Sequence, residues 1–79
     1  MFLWVEKLKH LGFKHVASGR YINDPVVVTV GYSGFVWLSC SMRTNEIHLE
    51  ANQTTLDIIS LLLPMAVDEQ VVFINSLPK

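Results

Sequence analysis

Residues 24–42 read DPVVVTVGYSGFVWLSCSM, two runs of β-branched and aromatic residues on either side of a glycine-bounded turn. This pattern predicts a β-hairpin whose loop is the segment 31–34. With a four-residue loop, the cross-strand neighbours that share one face are Val26 with Ser39, Val28 with Trp37, and Val30 with Phe35. A three-residue loop would pair each strand residue with a different neighbour and redistribute the two faces.

Both faces of the predicted hairpin are mostly apolar, because its second face would carry Val27, Thr29, Val36, Leu38 and Cys40. A hairpin with one face in water alternates apolar with polar side chains instead. We therefore expect a cover on each face. Helices of the same chain would cover one face, and the other face needs further helix, a partner subunit or a ligand.

The segment before the hairpin begins with a predicted helix. Residues 2–11 place Trp4, Leu8 and Leu11 on one side of an amphipathic helix. Gly12 follows directly and has the position of a C-cap residue. This helix is too short and too weakly charged for a membrane anchor, so we expect it to pack on the sheet.

Two further segments predict strands. Residues 13–22 favour a first strand, within which Gly19 marks a bulge or a turn, and residues 23–25 have turn composition. Residues 46–51 alternate strictly between polar and apolar side chains, which is typical of a half-exposed strand at a sheet edge. The inward side chains of that strand would be Ile47, Leu49 and Ala51.

The C-terminal third predicts helix. A second helix begins near Leu56, with Thr54 or Thr55 as its N-cap, and Pro64 ends or kinks it. Residues 67–77 fit either a strand by propensity or a helix by spacing. We favour the helix, because it would cover apolar sheet surface that the other helices leave exposed.

Together these elements predict one α+β domain over residues 1–79. It consists of a short N-terminal helix, an antiparallel β-meander of three to four strands, and a C-terminal helix or helices packed on one face. The composition is 51% hydrophobic and 16% charged, which is rich in apolar residues for so short a chain. Because a small domain has much surface, we expect apolar surface to remain exposed in the monomer and to be covered in a homodimer or by a protein partner.

The sequence also indicates a compartment and a charge distribution. A single cysteine, no secretory signal and no apolar run long enough to span a bilayer predict a cytoplasmic protein without a membrane span. Residues 1–43 hold five basic and two acidic side chains, whereas residues 44–79 hold five acidic and one basic, giving +3 and −4. Such a dipolar chain is suited to pairing with itself or to presenting an acidic face.

No catalytic or metal-binding set is evident, so we expect no enzyme activity, no cofactor and no metal. Cys40 lies in an apolar strand, which is typical of a buried structural cysteine, and a thiol enzyme built on it is the weakest alternative. Glu46, His48 and Glu50 share a strand face, but the two carboxylates are separated by about 13 Å. All three therefore cannot bind one ion.

The pattern favours a non-enzymatic protein–protein interaction protein. Very small chains without a catalytic set are frequently regulators or inhibitors that phages and other mobile elements encode and that act by occupying a partner's surface. The predicted interaction residues are aromatic anchors and the polar side chains near them: Tyr32, Phe35, Trp37, Arg43, Glu46, His48 and Glu50. The alternative is a small nucleic-acid-binding or RNA-cleaving toxin-type domain that uses the basic N-terminal half. Its residues would be Lys7, Lys9, Lys14 and Arg20, although a pI near 6.2 makes nucleic acid the less favoured partner.

Overall fold

The structure, a computed structural model, describes residues 2–41 and 44–78. Its elements in chain order are α1 (Phe2–His10), β1 (Lys14–Ala17), β2 (Arg20–Asn23), β3 (Val26–Val30), β4 (Phe35–Cys40), β5 (Ile47–Glu50), α2 (Gln53–Leu62) and α3 (Val67–Asn75). The five strands form one antiparallel sheet in the order β1-β2-β3-β4-β5. The α+β class is confirmed, and the sheet has five strands where the sequence predicted three to four.

The additional strand arises at Gly19. This residue has a φ of +70°, and the amide of Val30 donates a hydrogen bond to its carbonyl oxygen at 2.6 Å. A Cβ atom at this position would lie 2.9 Å from the Val30 carbonyl oxygen, so the turn requires glycine. The segment 13–22, predicted as one strand, therefore folds back on itself as β1 and β2.

The β3–β4 hairpin is confirmed, but the register predicted from a four-residue loop is wrong. The observed cross-strand pairs are Val26 with Cys40, Val28 with Leu38, and Val30 with Val36. The amide of Gly31 donates to the Phe35 carbonyl oxygen at 2.9 Å, so Gly31 belongs to the ladder and the loop has three residues. Gly34 ends that loop with a φ of +77°, a conformation that glycine adopts readily.

All three helices pack on the same face of the sheet. The side chains of Val26, Val28, Val36, Leu38 and Cys40 point into this layer and are fully buried. The helices contribute Trp4, Leu8, Leu56, Ile59, Leu62 and Ile74 to the same cluster. The prediction of helix for residues 67–77 is confirmed by α3, which packs on β4 and covers apolar sheet surface on the side that the other helices also cover.

Helix α2 begins at Gln53, three residues before the predicted start near Leu56. Its N-cap is Asn52, whose Oδ1 accepts a hydrogen bond from the amide of Thr55 at 3.0 Å. Thr55 is buried, and its hydroxyl donates to the carbonyl oxygen of Glu50. The indole Nε1 of Trp4 donates to the Asn52 carbonyl oxygen at 2.9 Å, which ties α1 to the start of α2.

Candidate functional site

One side of the sheet faces away from the helices, and we call it the open face. Within residues 2–41 and 44–78, no helix is packed over it, and none of its apolar side chains belongs to the core cluster. The segment after β4 borders it at one end, where Ser39 is buried. Strand register assigns its members, because residues paired across strands share a face. They are Lys14, Arg20, Ile22, Val27, Thr29, Phe35, Trp37, Ser39, Glu46, His48 and Glu50.

Three rings stack on the open face across β4 and β5. Trp37 pairs directly with His48, and their ring centroids lie 4.8 Å apart at an interplanar angle of 26°. The ring of Phe35 also contacts the His48 imidazole in a tilted arrangement, with centroids 4.7 Å apart and an interplanar angle of 36°. Both separations fall in the range of favourable aromatic contacts. The rings therefore form a connected apolar platform.

The indole of Trp37 also packs against β3. A Cβ atom at Gly31 would lie 2.5 Å from Cζ3 and 3.1 Å from Cη2 of this indole. Glycine at this position therefore allows the ring to lie close to the backbone of the neighbouring strand. Contacts with Gly31 on one side and His48 on the other hold Trp37 in place although the face is uncovered.

A concavity of about 510 Å³ lies at the end of the open face away from the rings. Its walls are formed by Arg20, Ile22, Val27, Ser39, Ser41, Thr44, Asn45 and Glu46. Next to Arg20 in the register lies Thr29, and the Oγ1 atom of Thr29 is buried without a hydrogen-bond partner in the described part of the chain. The open face thus combines apolar, hydroxyl and charged groups.

Charge changes sign across the open face. Lys14 lies on the edge strand β1 and Arg20 on its neighbour β2, whereas Glu50 lies on the opposite edge strand β5 and Glu46 directly precedes that strand. No ion pair joins these four side chains within the described residues, whereas Lys9 Nζ on α1 pairs with Glu6 Oε2 at 3.4 Å. The apolar centre of the face is therefore bordered by cations on one side and carboxylates on the other.

The predicted interaction residues are mostly brought together. Phe35, Trp37, Glu46, His48 and Glu50 all lie on the open face. Tyr32 projects from the hairpin tip and is fully exposed, outside the ring stack. Arg43 lies outside the described residues. Ile22, Val27 and Thr29 were not expected on this face with the rings, because their placement depends on the strand register.

The basic residues of the nucleic-acid alternative are split between two layers. Lys14 and Arg20 lie on the open face, whereas Lys7 and Lys9 lie on α1, which packs on the opposite side of the sheet. Lys9 is also paired with Glu6. A single continuous surface therefore does not contain all four cations.

Cys40 lies on the helix-covered side of the sheet and has no exposed surface. Its thiol donates to Oε1 of Gln70 at 3.7 Å, and Nε2 of Gln70 donates to the Leu62 carbonyl oxygen at 3.1 Å. This buried contact links β4 to the two C-terminal helices. Over residues 2–41 and 44–78, no three histidine, cysteine or carboxylate side chains are grouped as metal ligands would be.

A second concavity lies on the helical side, along α3. It has a volume of about 490 Å³ and is lined by Met65, Asp68, Glu69, Val72, Phe73 and Ser76. Val72 is 69% exposed there. This groove is formed by a single helix and the turn before it, and its lining contains no contacting rings. It is therefore a suitable control surface for experiments on the open face.

Comparison with known proteins gives no match: no protein-family model, no curated protein and no solved structure is similar to this chain. The described helices include none that combines the length and apolar character needed to cross a membrane. The open face, with its ring cluster and the opposite charges on its two sides, is the candidate functional site.

Proposed function

We propose that this chain is a non-enzymatic protein-interaction domain that binds protein partners on its open face. The observation that carries the proposal is the ring cluster of Phe35, His48 and Trp37 on a sheet face that no described helix covers. A helix-covered sheet that had no partner would be expected to carry polar side chains on its second side. Here the centre of that side is apolar and aromatic.

The composition of the open face also supports protein binding. Protein interfaces have an apolar centre with aromatic anchors and a polar rim. On the open face, Trp37 lies on β4 and Arg20 on β2, each one strand in from an edge, whereas Lys14 lies at the β1 edge and Glu46 and Glu50 lie at the β5 edge. Contacts with Gly31 and His48 hold the indole before a partner arrives, which reduces the entropy lost on binding.

A chain of this kind acts by covering a surface of its partner, so we assign it the role of a small regulator or inhibitor. This role needs no reaction chemistry of its own. The fully buried thiol of Cys40, which contacts Gln70 rather than solvent, is consistent with a structural cysteine. The origin in a phage or mobile element stays a prediction from the small size of the chain.

Site-specific photo-crosslinking tests the proposal. A benzophenone amino acid at Phe35 reports what touches the ring stack, and the same amino acid at Val72 reports what touches the α3 groove. We expect a discrete polypeptide adduct from position 35, identified by mass spectrometry of the crosslinked peptides, that is lost when Trp37→Ala is added. An absence of polypeptide adducts at position 35, or equal adducts from positions 35 and 72, would contradict the proposal.

A second candidate, single-stranded nucleic-acid binding, is favoured by the presence of Arg20 and Lys14 on the same face as the rings. Stacked rings and nearby cations are how such strands are held. The carboxylates of Glu46 and Glu50 at the far edge oppose it. The two candidates separate in the same experiment, because nuclease-sensitive adducts and a steep loss of binding with salt would indicate nucleic acid.

A further inference from the structure

We infer that the open face is covered in solution by the open face of a second copy of this chain. In this arrangement the two sheets pack face to face about a two-fold axis that runs parallel to β3. This inference rests on the proposed function and names the occupant of the same surface. The charge distribution of the open face favours this partner, since apolar character alone would not select one partner over another.

A two-fold axis in the plane between two sheets can run in two principal directions. If it runs across the strands, β1 lies over β1 and β5 over β5, which brings cations against cations and carboxylates against carboxylates. If it runs along the strands, β1 of each copy lies over β5 of the other. Only the second direction brings opposite charges together, because Lys14 is at the β1 edge and Glu46 borders the β5 edge.

The strand register makes this packing self-complementary along two rows of side chains. One row runs from Lys14 through Ile22, Val27 and Ser39 to the position of Glu46. The two-fold rotation about the axis between the sheets places Lys14 over the second copy's Glu46. It also places Val27 near the second copy's Val27, close to the axis. The charged side chains of this row thus pair at both ends, with apolar contact between them.

The second row pairs a cation with a ring. It runs from Arg20 through Thr29 and Trp37 to His48. The same rotation places β2 over β4, so that Arg20 lies over the second copy's Trp37, a favourable cation–π arrangement. Sheets that pack face to face are separated by about 10 Å, a distance that these long side chains span from both sides.

The area of the face predicts a reversible dimer. Five strands of about five residues give a planar footprint of roughly 300–400 Å² per copy, compared with about 800 Å² per partner in a standard interface. Side-chain relief adds to the buried area, but the interface stays in the small class. We therefore expect dissociation in the micromolar range, which leaves the face available to a foreign partner that competes for it.

Reciprocal charge reversal tests the arrangement by sedimentation equilibrium over micromolar to millimolar concentrations. Lys14→Glu and Glu46→Lys should each weaken the dimer about 10-fold or more, because two symmetry-related pairs become repulsive. An equimolar mixture of the two variants, and the double variant K14E/E46K, should each regain wild-type affinity. Lys7→Glu makes the same charge change on α1 and should leave the dimer unchanged.

Three outcomes would overturn the inference. The wild-type chain is a monomer throughout the range, or the two single variants dimerise as tightly as wild type, or Lys7→Glu weakens the dimer as much as Lys14→Glu does. All variants change exposed side chains, and circular dichroism verifies that each is folded. If the wild type is monomeric while position 35 still crosslinks to a foreign protein, the proposed function stands and this inference fails.

Discussion

Two adjacent residues of β4 test the sheet register directly, because they point to opposite faces. Leu38 is fully buried beneath the helices and pairs with Val28 and Ile47, both of which are also buried. Trp37 lies half-buried on the open face. We predict that Leu38→Ala destabilises the fold far more than Trp37→Ala, although the tryptophan substitution removes many more atoms.

The magnitude follows from what each substitution leaves behind. Leu→Ala removes three carbon atoms from full burial, which at about 0.8 kcal/mol per carbon costs about 2.4 kcal/mol. The cavity left among Val28, Ile47 and their neighbours raises the cost to about 3–4 kcal/mol. Small domains of this length often have only about 3–5 kcal/mol of stability. The free energy of unfolding of Leu38→Ala should therefore be close to zero.

Trp37→Ala opens no cavity in the core. It removes a ring that contacts the backbone of Gly31 and the imidazole of His48, on a face that stays in water in the monomer. Loss of these partly exposed aromatic contacts should cost about 1 kcal/mol. The difference between the two variants is therefore about 2–3 kcal/mol.

Urea unfolding followed by circular dichroism measures both free energies. The experiment is run at the lowest workable concentration, because self-association would add to the apparent stability of the wild type. A Trp37→Ala variant that is less stable than Leu38→Ala would mean that the indole faces the helices. That result would restore the four-residue loop and refute the register on which the open face depends.

Two further substitutions test local features by the same unfolding assay. Thr29→Val should stabilise the fold by about 1 kcal/mol, because it replaces a buried hydroxyl that has no partner among the described residues; unchanged stability would mean that this hydroxyl is satisfied. Asn52→Ala should destabilise by about 1 kcal/mol by removing the side-chain acceptor for the Thr55 amide. Asn75→Ala, at the exposed end of α3, is the control, and a loss as large as that of Asn52→Ala would refute the capping role.

Helices and strands whose apolar residues recur with a clear period could be predicted from the sequence, whereas the register of the β3–β4 hairpin could not. The β5 pattern alternates, so Ile47 was expected inward, and it is buried. In β3 and β4 both faces are apolar, so a shift of one residue costs no obvious hydrophobic burial and the pattern does not select a register. The choice between a three- and a four-residue loop depends on the conformations of Gly31 and Gly34, which composition does not reveal.

The same ambiguity of register limited how much of the open face could be predicted from the sequence. The aromatic residues at positions 35 and 37 were expected on an interaction surface, yet the four-residue loop would have placed Trp37 with Val26 and Val28 on one face. The structure separates them, because Val26 and Val28 face the helices while Trp37 faces away from them. The start of α2 was missed for a related reason. Asn52 and the two threonines are all good N-cap residues, and only the backbone conformation distinguishes among them.

The charge asymmetry of the sequence acquires a meaning from the topology. In a meander, strand order in space follows strand order in the chain, so a chain that changes from basic to acidic yields a sheet that changes from basic to acidic across its width.

Only charges on the same face contribute to this gradient. The asymmetry that matters for association is therefore the one between Lys14 and Arg20 on β1 and β2 and Glu46 and Glu50 at the β5 edge, not the +3 and −4 of the two halves. The charges on the helices, such as Lys7 and Glu69, lie in the other layer and cannot oppose a partner docked on the open face. Net charge is for this reason a poor guide to what this chain binds, and the sign of each open-face edge is the better one.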